Sequence, residues 1–108
     1  MPITVIDILK QSLIEVGGAG YFTCNDRVLT MFDRARESLV PVRSRTAEQH
    51  TELAEACQAA QIALVQTIEP EKTDISEEYS YKELSKLGQI PIKQHRDLLL
   101  RTIKRLEP

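Results

Sequence analysis

Thr46–Ile68 reads TAEQHTELAEACQAAQIALVQTI, and its apolar positions decide the fold class. Leu53, Ala56, Cys57, Ala60, Leu64 and Ile68 recur at the three- and four-residue steps that place side chains on one face of an α-helix. Thr46 and Gln49 form a capping box that starts the helix, and Pro70 stops the chain from continuing it. Ala54, Ala56, Ala59, Ala60 and Ala63 keep the helix slim, so that another helix can approach closely. At ~35 Å such a helix is as long as a small domain is wide, and an end that projects onto a second subunit is expected.

Moving outward, the same period recurs. Thr4 caps a helix to about Val16 with Ile6, Leu9, Leu13 and Val16 on its stripe, and Gly17-Gly18-Ala19-Gly20 ends it. Tyr21-Phe22-Thr23 reads as a short extended piece. Asn25 opens a second helix to about Leu39, with Val28, Phe32, Ala35 and Leu39 on one face and Pro41 beyond it. Residues 69–79 are acidic and contain Pro70, which predicts a solvated linker. Ser80 and Glu83 read as a second capping box, opening a short helix that closes at Gly88; Pro91 then sits near the start of a last helix through Leu99, Ile103 and Leu106. The expectation is an all-α single domain over residues 1–108: a compact bundle of four or five helices ending in a helix-turn-helix-like pair.

Composition sets the function classes. The 108 residues are 42% hydrophobic and 28% charged, the balance of one ordinary globular domain. A net charge of -2 gives no global attraction to nucleic acid or anionic membranes, so any such contact requires a local patch. No apolar run approaches the ~20 residues that span a bilayer. With two widely separated cysteines, Cys24 and Cys57, and no leader-like amino end, the reading is a cytoplasmic protein with two reduced thiols.

Catalytic and metal chemistry find little support. Only His50 and His95 are present; the positions one turn after them are Leu53 and Ala54, and Leu98 and Leu99, so neither has a second ligand on its own face. Both are expected on helix surfaces. The glycines at 17, 18 and 20 follow a helix, whereas a phosphate-cradling loop belongs between a strand and a helix. No catalytic residue, metal or cofactor is expected.

Tyr81–Leu106 resembles the helix-turn-helix core of small transcription regulators in Leu84, the glycine-containing turn, Ile90-Pro91 and Leu98. It departs from that pattern at Ser85 and His95, where apolar residues are usual, and has no wing after the last helix. The Leu87-Gly88 step followed by a basic helix is also similar to the tail of sterile alpha motif domains, a protein-interaction fold, although the preceding segments do not match. The helix-turn-helix resemblance implies that Lys93, Gln94 and Arg96 lie at the start of a recognition helix, with Arg101, Lys104 and Arg105 along it. Arg34, Arg36, Arg43 and Arg45 would add phosphate contacts. The competing reading takes the same residues as a partner-facing or solvated surface, because basic side chains commonly flank apolar stripes. Two functions are therefore expected in order: a non-enzymatic regulatory or adaptor protein, self-associating as a homodimer, and a DNA-binding regulator as the alternative.

Overall fold

The computed structural model describes residues 2–17, 26–73 and 75–108. Five α-helices follow in order: α1 Val5–Gly17, α2 Arg27–Leu39, α3 Ala47–Ile68, α4 Glu77–Leu87 and α5 Ile92–Leu106, with a 3-10 turn at Val42–Ser44 between α2 and α3. No strand occurs among the described residues. The chain is an all-α bundle in which α1 packs against α2, α3 and α5, while α4 rests on α2 and α3.

Local chemistry explains the helix starts. The Thr4 amide donates to Asp7 Oδ2 at 2.8 Å and the Asp7 amide to Thr4 Oγ1 at 3.2 Å, so the two residues cap each other. The Thr46–Gln49 box is made in both directions at 3.1 Å. Gly18 to Asn25, covering the expected turn, the extended piece and the Asn25 cap, lies outside the described residues; α2 begins after Asp26, whose side chain makes no capping bond.

The core joins Ile8, Leu9 and Val16 of α1, Val28, Met31 and Phe32 of α2, Leu53 and Leu64 of α3, Leu84 and Leu87 of α4, and Leu98, Leu99 and Ile103 of α5. The buried line on α1 is shifted from the expected one, because Ile8 and Ser12 are buried while Ile6 and Leu13 are half-buried. Ser12 tolerates this by donating to the Ile8 carbonyl at 2.6 Å. On α3, Ala63 and Val65 join the core and Ile68 is exposed. Its 22 residues, ~33 Å, fit within the 35 Å longest dimension of the molecule, so neither end need project.

Two expectations are corrected at α4 and α5. The helix starts at Ser76, which accepts from the Tyr79 amide at 3.2 Å, and not at Ser80. Residues 77–79, assigned to the linker, are its first turn, where Glu77 and Glu78 favour the positive end of the helix. The earlier start aligns Ser80, Leu84 and Leu87 on one buried face. Earlier in the connection, Lys72 pairs with Glu69 and Glu83 and lies 4.0 Å from the centre of the Tyr79 ring.

His95 is the second correction. It is buried, not on a helix surface, because it falls on the same face as Leu98, Leu99 and Thr102. Its Nε2 pairs with the Leu87 carbonyl at the end of α4.

Candidate functional site

With His95, Leu98, Leu99, Thr102 and Ile103 committed to the core, the 3.6-residue period sorts the basic side chains of α5 into two flanks and an outward face. Arg105 belongs to the α3 flank: Nε donates to Thr67 Oγ1 at 3.2 Å and Nη2 to the Ala63 carbonyl at 2.9 Å. Thr102 and Thr67 extend the same polar strap, their hydroxyl oxygens 3.0 Å apart. Arg96 belongs to the α1 flank, where a Cβ built on Gly17 would stand 3.7 Å from its Nη2. Its charge thus lies at the negative end of α1, a helix with no basic residue in its own last turn. Lower down the same seam Lys10 pairs with Glu107 at 3.1 Å.

The outward face is therefore narrower than the sequence suggested. It consists of Lys93, Gln94, Arg101 and Lys104, all exposed, with Asp97 and the 49% exposed Leu100 among them. Lys93, Arg101 and Lys104 form no ion pair among the described residues. Arg43 and Arg45 are not gathered with them. They sit at the α2–α3 connection, where Arg45 donates to the Val40 carbonyl at 2.8 Å and lines a mixed-charge cleft with Asp33, Glu37 and His50. Arg36 is occupied by Asp33.

A second surface forms where α1, α3 and α5 meet. Val5 and Ile6 of α1, Ala59, Ile62 and Ala63 of α3, and Leu106 of α5 line an open groove of about 460 Å³, completed by Thr4 and Gln66. It exists because the alanines of α3 fill little of the space beside the first turn of α1. One face of α3 continues from it into a shallow acidic cleft bearing Glu48, Glu52 and Glu55. There the Ile3 amide donates to Glu52 and holds the amino-terminal residues against α3.

Burial shifts two titratable groups of the interior, Cys57 and His95. Burial pushes the Cys57 thiol up, and its Sγ lies 3.9 Å from the Phe32 carbonyl, an arrangement that disfavours the nucleophilic thiolate. Burial, aided by the charge of Arg27, holds His95 below the usual histidine range against the opposing effect of its bond to Leu87. Among the described residues no three His, Cys, Asp or Glu side chains come together as a metal site, and no helix is long and apolar enough to cross a membrane. Cys24 lies outside the described residues. No family model, curated protein or solved structure matches the chain.

Proposed function

We propose that the protein is a small non-enzymatic regulatory or adaptor module that works by docking protein in the α1–α3 groove, and that it self-associates as a homodimer through this surface. The observation carrying this reading is the apolar lining of the groove, in which Val5, Ile6, Ile62 and Leu106 stand around the low floor of Ala59 and Ala63. Apolar side chains grouped in an open concavity gain free energy when a partner excludes water from them. A cytoplasmic setting agrees with a Cys57 thiol that is free among the described residues.

Hydrogen exchange at low and high protein concentration tests the groove. Association through it slows amide exchange in the last half of α3 and the first turn of α1 as concentration rises, or when a co-purifying protein is added. Unchanged exchange in both segments under both conditions contradicts the reading.

The alternative, a DNA-binding regulator, draws on one observation: Lys93, Gln94, Arg101 and Lys104 face outward from α5 with Arg96 on their flank. Binding of this kind is carried by phosphate contacts and falls steeply with salt. Retention on duplex DNA at ~50 mM salt, lost in an Arg101→Glu variant with unchanged helical signal, would favour it.

A further inference from the structure

The groove and the outward face of α5 carry matching patterns. On α3, Glu48, Glu52, Glu55, Ala59, Ile62 and Gln66 follow one another in alternating four- and three-residue steps, the spacing of a seam that receives a second helix. That line is acidic over its first half and small or apolar at Ala59 and Ile62. On α5, Lys93, Asp97, Leu100 and Lys104 repeat the same steps on the side turned away from the core, with Arg101 beside Leu100. Leu100 is half exposed, and its position on the helix keeps it off the core-facing stripe.

We propose that the occupant of the groove is the outward face of α5 from a second copy of this chain, with Leu100 seated over Ala59 and Ile62. The inference rests on the groove being an interaction surface, as argued above, and assigns its partner. Charge sets the direction. An antiparallel α5 carries Arg101 and Lys104 toward Glu55 and Glu52 and turns Asp97 toward the uncharged Ile62 and Gln66. A parallel α5 sets Asp97 beside Glu55 and offers those carboxylates Lys93 alone in place of Arg101 and Lys104, so charge favours the antiparallel direction. Each copy offers one groove and one α5 face, so a twofold pair makes the contact twice and closes as a dimer.

Sedimentation equilibrium at low salt is the test, using Leu100→Glu, Lys104→Glu, Glu55→Lys and the double variant Lys104→Glu/Glu55→Lys. All three positions are exposed, and circular dichroism checks that the helices persist. Leu100→Glu is expected to raise the dimer Kd by about tenfold or more, as for an anchor in an apolar pocket. Lys104→Glu and Glu55→Lys should each weaken it several-fold, and the double variant should recover part of the loss because it reverses the pair. Leu100→Glu and Ile62→Glu chains, each impaired alone, should pair when mixed through their one intact contact. A wild-type dimer broken by Ile62→Glu but untouched by Leu100→Glu and Lys104→Glu would overturn the α5 assignment and leave the groove reading standing. A wild-type chain that stays monomeric at its highest soluble concentration would also overturn it, as would a monomer whose α5 face binds duplex DNA.

Discussion

His95 on α5 and Leu87 at the end of α4 are joined through the imidazole Nε2 and the backbone carbonyl, inside the turn that connects the two helices. The other ring nitrogen, Nδ1, is buried with no hydrogen-bond partner among the described residues, so the neutral ring that donates from Nε2 fits the site. A second proton would place an unpaired N–H and a positive charge in the interior near Arg27. Because the folded-state pKa lies below the ordinary value of 6.5, the unfolded chain binds the proton more readily. The stabilising contribution is complete above the unfolded-state pKa and is lost as pH falls from there through the lower folded-state value.

Urea unfolding between pH 7.5 and 5 should therefore show stability declining as pH falls. His95→Gln, which retains a side-chain donor but cannot titrate, should flatten that decline. An equal pH dependence in both proteins would rule out His95 as its source.

The start of α4 can be checked by two serine substitutions. Ser76→Ala removes the cap on the Tyr79 amide and should cost about 1 kcal/mol. Ser80→Ala should be neutral or stabilising, since the buried Ser80 hydroxyl oxygen has no hydrogen-bond partner among the described residues. Chemical denaturation that ranks Ser80→Ala as the more damaging would move the helix start back to Ser80.

Arg105 and Arg101 should separate structure from surface. Arg105→Ala breaks the strap to Ala63 and Thr67 and is expected to lower stability by about 1 kcal/mol, an exposed charged donor being discounted for solvent screening. Arg101→Ala, on the outward face, should change it by less than about 0.5 kcal/mol. Equal losses in the monomer would contradict the division of α5 into flank and face.

Substituting the core of α3 gives a larger effect. Leu53 is fully buried, and Leu53→Ala should cost about 2–5 kcal/mol in thermal or urea unfolding through the cavity it leaves. A loss below about 1 kcal/mol would place Leu53 outside the core.

What the sequence disclosed follows from how local each signal is. The Thr46–Gln49 box and the apolar line of α3 depend on residues within a few turns of one another, and they were legible. Ser76 and Ser80 both offer a hydroxyl to a helix start; the packing of Ser80, Leu84 and Leu87 against α2 and α3 decides between them. The polarity of His95 pointed outward, but its position on the α5 stripe and a carbonyl at the end of α4 accommodate it inside. The spacing of Lys93, Gln94, Arg101 and Lys104 put them on one helix, and the fold leaves them exposed there. That Arg96 and Arg105 serve the seams with α1 and α3, and that Arg43 and Arg45 lie elsewhere, depends on tertiary neighbours. The groove likewise needs α1 placed beside Ala59 and Ala63, although the heptad line from Glu48 to Gln66, lying off the core stripe, was a signal that could have been read.

Docking of protein in the α1–α3 groove with self-association is decided by light scattering of the wild-type chain and of Ile62→Glu over a wide concentration range. Ile62 lines that groove and is only half-buried, so a buried carboxylate there opposes docking while the helical signal verifies folding. The predicted result is a wild-type mass rising above 12.3 kDa with concentration and an Ile62→Glu mass that stays at the monomer value. A wild-type mass fixed at 12.3 kDa throughout, or an oligomer indifferent to Ile62→Glu, would contradict it.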